Sequence, residues 1–325
     1  FAPLWEGGAC ILRAATARLV WWVIAIALGA QAGRAQVYFD VNSGSGLGTA
    51  AGSYNWDTST TLWNTASNGN NARVAWTNGS AAVFNAGSGA YTLNTTAALT
   101  AGSITVSQGD VTVADGGGSF QLSANSTYNI TGSLTFNEDI GQNASGRTLT
   151  KSGAGTLTLA GNNTFSGRLT LSAGTLNLNS ATANGSGPMT ISGGTLDNTS
   201  GGAVTLTNNP SITLSGTLTF GGTNDLNLGT GGFSLGAANR TFNVNGSALT
   251  IGGVLTQSSG SRAIIKGGDG TLVLANTANT YAGATTINGG VVSVTKLAAG
   301  GSNSSIGRSN NGAGNLVLNG GTLRY

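Results

Sequence analysis

The 325-residue chain has no histidine, one cysteine, three prolines and only 7% charged residues. Each shortage removes a class of function. Without His, and with Cys10 lying ahead of the patterned part of the chain, the common acid–base, thiol and zinc sites cannot be assembled. A mature chain starting after Cys10 has no disulfide, so its stability must come from packing and backbone pairing. The 13 basic and 10 acidic residues give a formal charge of +3. Arg13, Arg18, Arg34 and Glu6 all fall within the first 35 positions, which leaves the rest close to neutral. The remaining bases are scattered singly, with no stripe suited to nucleic acid.

Glycine is abundant, at 55 residues, and Ser, Thr, Asn and Ala accompany it. Such a composition also marks disordered polymers. The pattern excludes that reading, because runs such as Thr156-Leu157-Thr158-Leu159 alternate polar and apolar side chains, as a half-buried strand does. Leu134, Leu157, Leu176, Leu196 and Leu218 recur at intervals of about twenty residues, the length of one solenoid coil. Turn residues such as Gly161-Asn162-Asn163 and Ala183-Asn184-Gly185 separate the strands. One coil of this size cannot bury enough apolar surface to offset its own chain entropy, so the coils must stack and share their apolar layers.

Three regions follow. In residues 1–35, the apolar run from Leu19 to Ala30 follows Arg13 and Arg18 and leads into small residues at Ala32 and Ala35, the layout of a cleaved, helical signal peptide. The uncharged run is shorter than the ~20 residues of a membrane span. Residues 36–107 carry Trp56, Trp63 and Trp76 and are expected to form an N-terminal β cap over the first apolar layer and strand edge. The alternative for these three rings is stacking on sugars in a glycan-binding patch. Residues 108–325 hold the repeats, and the sequence stops in mid-pattern at Leu316–Tyr325, as a fragment of a longer protein would.

One unit organises the rest. Residues 149–178 recur at 264–294, matching Lys151 with Lys266, Gly155-Thr156-Leu157 with Gly270-Thr271-Leu272, Phe165 and Gly167 with Tyr281 and Gly283, and Gly174 with Gly290. The recurring lysines are expected at solvated strand edges, where charge discourages edge pairing. Glu138 and Asp139 are adjacent acids, but neighbours on a strand face opposite ways and make a poor carboxylate pair for glycoside chemistry. Gly267-Gly268-Asp269-Gly270 is a single imperfect copy of a calcium-binding repeat that needs tandem copies. No catalytic residue, cofactor site or metal ligand is assigned.

The pattern K-x-G-x-G-T-L-x-L, then N-T-[FY]-x-G, then [TS]-[LI]-x-x-G-[TV]-[LV], resembles the autotransporter-associated β-strand repeat, also called the passenger-associated transport repeat. That resemblance implies a right-handed parallel β-helix, secreted across the inner membrane to the cell surface through an outer-membrane β-barrel translocator. It implies a non-enzymatic structural passenger whose repeats support folding and export. Two alternatives stand beside it: an adhesin that engages a surface glycan or host-cell ligand through the Trp-rich region, and a polysaccharide-active enzyme on the same scaffold.

Overall fold

The computed structural model describes residues 35–325, and the signal peptide expected over residues 1–35 lies, apart from Ala35, outside the described residues. Within them the alternation of side chains decides the architecture. Leu157 and Leu159 are fully buried, while Thr156 and Thr158 between them are half-exposed. The same parity holds in strand after strand, and each strand pairs in parallel with its equivalents one coil earlier and one coil later. Leu134, Leu157, Leu176 and Leu196 thereby stack in register as one apolar column.

The result is a parallel β-helix whose coils have up to three sides. Side one is a 12-stranded sheet and side two another, whereas the third side is divided into sheets of 3 and 6 strands. The segment between Leu218 and Ile264, where the sequence pattern is loosest, visits the sides in regular order. Leu218–Phe220 lies on side two, Leu226–Asn227 on side three, Phe233–Ser234 on side one and Arg240–Val244 on side two again. Among the described residues no helix is long and apolar enough to cross a membrane.

Parallel stacking reaches back through the Trp-rich region and crosses residue 107 without a break. Gln36–Phe39 pairs in parallel with Ala81–Phe84, which pairs with Ile104–Val106, and Gly52–Trp56 continues through Ala90–Thr95 to Asp110–Asp115. The departure is a pair of antiparallel strands, Thr61–Asn64 against Gln36–Phe39 and Val74–Ala75 against Thr61–Asn64. Strands running against the coil direction take up main-chain groups that a further parallel coil would otherwise have to meet. Asp40 fixes the crossing, accepting 2.9 Å hydrogen bonds from the Asn64 side chain and the Asn42 amide.

Leu157 carries the column on both sides, so Leu157→Ala should cost about 2–5 kcal/mol of stability. The outward Thr156→Ala in the same strand should stay within about 0.5 kcal/mol. Urea unfolding followed by far-UV circular dichroism separates the two.

Candidate functional site: buried staples in the repeat

Lys151 follows Leu149 by two positions on one strand, so both side chains face inward. Its column neighbours are Tyr128 in the preceding coil and Leu171 in the next. Lys266 sits in the same setting, between Phe242 and Ile287. Both lysines are fully buried, which corrects the solvated strand-edge role suggested by their recurrence. The physical reason is that the aliphatic stem fills the apolar column between a ring and a branched side chain, while the ammonium reaches a turn lined with carbonyls.

That turn is a cage. Lys151 Nζ donates to the carbonyls of Ser152 and Gly153, each at 2.8 Å, and to Ala173 of the following coil at 3.1 Å. Lys266 Nζ donates to Gly267 and Gly268 at 2.8 Å and to Gly289 of the following coil at 3.2 Å. All three ammonium hydrogens are paired, and each lysine ties its own turn to the next one. Burial pushes both amines down to about 8, with Asp269 pulling Lys266 the other way.

A second staple lies at Asn163 and Asn279, both buried. Asn163 Oδ1 accepts from the Ile140 amide of the preceding coil at 2.8 Å, and its Nδ2 donates to the Ala183 carbonyl of the following coil at 2.7 Å. Asn279 repeats this with the Leu255 amide and the Ser305 carbonyl, each at 2.8 Å. One side chain thus bridges three coils where no strand is present to do so. Just upstream, Gln142 Oε1 accepts from the amides of Arg147 and Ser166, and Gln257 Oε1 from those of Arg262 and Ala282.

The remaining signature residues make room for these contacts. Leu157 and Leu272 are fully buried, with Thr156 and Thr271 half-exposed beside them. Phe165 and Tyr281 are buried two positions after the asparagines, and the Tyr281 hydroxyl lies 2.8 Å from that of Thr285. A Cβ at Gly155 or Gly270 would stand 2.0 Å from the carbonyl oxygen of Gly132 or Gly246 in the coil before. Gly167 and Gly283 press as closely on the main chain at Arg147 and Arg262, and Gly174 and Gly290 turn with positive φ. Gly185 and Gly307, outside the sequence signature, lie over the Phe165 and Tyr281 rings, about 3 Å from ring carbon to a notional Cβ.

The two copies occupy different sides of the helix. Lys151 is on side one and its loop, with Asn163, takes the place of a strand on side three, between Ile140–Gln142 and Val204–Thr205. Lys266 is on side two, and its loop, with Asn279, takes the place of a strand on side one, after Leu255–Thr256. Each repeat therefore marks a coil in which one side has no strand while the other two sides continue through it.

Trp56, Trp63 and Trp76 are all buried. Trp63 and Trp76 lie 4.7 Å apart, Trp56 and Trp76 5.1 Å apart edge to face, and the Trp76 ring nitrogen donates to Asn78 Oδ1. Their faces meet Phe39, Phe84 and Phe120, so none of the three presents an open ring to a sugar. The adjacent acids lie in the bend between Ser133–Phe136 and Ile140–Gln142, not on a strand, and still separate, Glu138 inward and Asp139 outward. Burial raises the Glu138 carboxyl, with Asp115 and Asp139 adding to the rise and the Thr95 hydroxyl, in short contact, opposing it. Asp139 is held by the Asn162 amide of the next coil.

Comparison with known proteins adds the following. The family model described as the passenger-associated-transport repeat matches residues 149–178 and 264–294. The chain is 38% identical over 234 residues, 71% of its length, to a protein of Brucella suis biovar 1 (strain 1330) named "Adhesin BmaC autotransporter". It spans 6% of that relative's length. No solved structure matches the chain.

Asn163→Ala leaves a buried amide and a buried carbonyl without partners and should cost at least about 1–3 kcal/mol in urea unfolding, while exposed Asn162→Ala should cost little. The lysines set a pH dependence. Their amines bind protons less readily folded than unfolded, so their contribution is present above the ordinary lysine value and is lost as pH falls through about 8. Stability should therefore rise from about pH 7 to about pH 10, and rise less in Lys151→Met/Lys266→Met.

Proposed function

We propose that this chain, which carries two passenger-associated-transport repeats and belongs with the autotransporter passengers, is a non-enzymatic β-helical scaffold displayed outside the cell. Its repeats hold the coil stack together where a side first loses its strand. The observation that carries this reading is the pairing of identical buried contacts with different sides. A motif that bound a ligand would have to present its copies on a common face. A packing motif needs only the coils directly before and after it, and both copies meet those neighbours through the same atoms.

In this reading residues 1–35 are the export leader, residues 36–107 close the first coils and residues 108–325 form the repeat-bearing rod. The partner in export is an outer-membrane β-barrel translocator, and the working location is the cell surface or beyond. A second role, adhesion, is favoured by the name of the relative from Brucella suis. Since the tryptophans are buried, adhesive contacts would fall to outward side chains of the coils.

The test places Asn163→Ala/Asn279→Ala in the parent passenger and measures antibody binding to intact cells together with resistance to added proteinase K. Surface display should fall several-fold and the displayed remainder should be cleaved, with the outward Thr156→Val as the unaffected control. Undiminished display of a protease-sensitive rod would remove the role of the staples in export.

A further inference from the structure

Charge on this rod is scarce, and it is sorted around the circumference. Residues 108–325 carry seven acids, and six of them lie at the corner where side two passes into side three. Asp115 and Asp197 end side-two strands, Asp139, Asp225 and Asp269 fall between a side-two strand and a side-three strand, and Glu138 points inward at the same corner. Asp110, at the start of its strand, is the exception. Among the described residues no lysine or arginine occurs at that corner. Of the nine bases in the same span, Lys151 and Lys266 are buried, and six of the other seven border side one. Arg147, Arg168 and Lys296 come just ahead of that side in the chain, and Arg240, Arg262 and Arg308 just after it. Arg324, on a side-three strand, is the seventh.

In a three-sided coil the corner between sides two and three stands opposite side one, so the acidic ridge and the base-bordered face look in opposite directions. These charges do not neutralise one another within the chain. Among the described residues no carboxylate is bonded to a lysine or arginine. Arg168 donates to the Thr190 hydroxyl and Arg262 to the Ser259 carbonyl, while the carboxylates of Asp115 and Asp225 accept only from the amides of Gly117 and Ala248. Their heights along the rod correspond. Counted by the strands of side two, the exposed Asp115, Asp139, Asp225 and Asp269 belong to the third, fourth, eighth and tenth coils. Arg147, Arg168, Arg262 and Arg308 lead into the fifth, sixth, tenth and twelfth, so each stands two strands on from an acid. The less exposed pair keeps the same step, since Asp197 ends the seventh strand and Arg240 opens the ninth.

We propose that side one is the docking face for the acidic corner of a second copy of this chain, standing parallel to the first and displaced along the rod by two strand spacings or slightly less, roughly 7–10 Å. Charge complementarity selects this partner. The displacement sets every coil with an acid at the ridge level with a basic coil of the neighbour, and translation alone turns the ridge of one copy toward the face of the next. No inverted placement brings all five such coils level with basic ones, because the intervals between the acids read differently in reverse. The contact joins two different surfaces, so each copy keeps one of them free, and copies add in a row instead of closing as a pair. Exposed ion pairs are individually weak and screened by salt, so the row depends on their number. The proposal rests on the chain being a displayed rod, since rods held by one membrane stand the same way up, and adds the partner that its flanks meet.

The experiment follows the whole chain by sedimentation at about 20 mM and about 500 mM sodium chloride. At low salt the weight-average mass should climb with concentration beyond that of a dimer, and at high salt it should fall at least about twofold. Asp139→Lys/Asp225→Lys/Asp269→Lys and Arg147→Glu/Arg168→Glu/Arg262→Glu should each lose this growth alone. An equimolar mixture of the two should regain it, because each then offers the charge that the other's surface lacks. Asp115→Asn/Asp139→Asn/Asp225→Asn/Asp269→Asn keeps an oxygen for the main-chain amides and should still weaken association several-fold, which separates lost charge from lost fold. Asp110→Asn, away from the ridge, should associate as the parent does. Growth that stops at a dimer, growth indifferent to salt, an unaffected asparagine variant, or a mixture that stays dispersed while both members keep the parent's circular dichroism would overturn the proposal. So would a chain that is retained on immobilised heparin but does not associate with itself. A rod that is displayed and resists proteinase K yet stays monomeric at low salt would refute only this inference.

Discussion

In a parallel β-helix the main chain of every coil depends on the coils before and after it, because no side of a coil can pair with itself. Each buried amide and carbonyl must find a partner one layer away, and a layer without a strand on one side leaves a row of them unmet. Each repeat occupies the first such layer on its side. At residues 149–178 the third side has no strand, and at 264–294 the first side has none. In both places an asparagine side chain supplies the donor and the acceptor that a strand would have supplied, and a lysine collects the turn carbonyls beside it.

This constraint accounts for the unusual chemistry of the core. A buried ammonium is normally matched by a carboxylate, yet here it is met by three carbonyl dipoles drawn from two coils. The arrangement suits a chain in which acids are scarce. It also couples the lysine to the arrival of the next turn, since its third partner belongs there. The glycines complete the design by letting the coils approach at distances that a Cβ would prevent.

The fold was legible in the sequence because its signal is periodic. The leucine column, the two-residue alternation and the recurring Gly-Thr-Leu all report a shared inward face, and the family resemblance rests on the same residues. The staples were less legible, although parity held the clue. Lys151 stands two positions after Leu149, and Asn163 two before Phe165, so both share the inward side of an apolar neighbour. A charged residue in such a position reads as a surface feature until the carbonyls around it are known, and those come from turns in two different coils. Gly185 and Gly307 could not be recognised at all from the repeat, since the rings they cover lie about one coil earlier in the chain. The tryptophans gave two readings in sequence because a ring's exposure depends on strands folding back across it.

The displacement of the second repeat by one side has a geometric consequence. A coil side is an angular step about the helix axis, so the number of residues between two copies is converted into a bearing. A block whose length is not a whole number of turns rotates everything beyond it, as an offset flange rotates the next section of pipe. Insertion or loss of a single side between the copies would leave every staple intact and re-aim the surfaces downstream, while a whole turn would lengthen the rod and leave its aim unchanged.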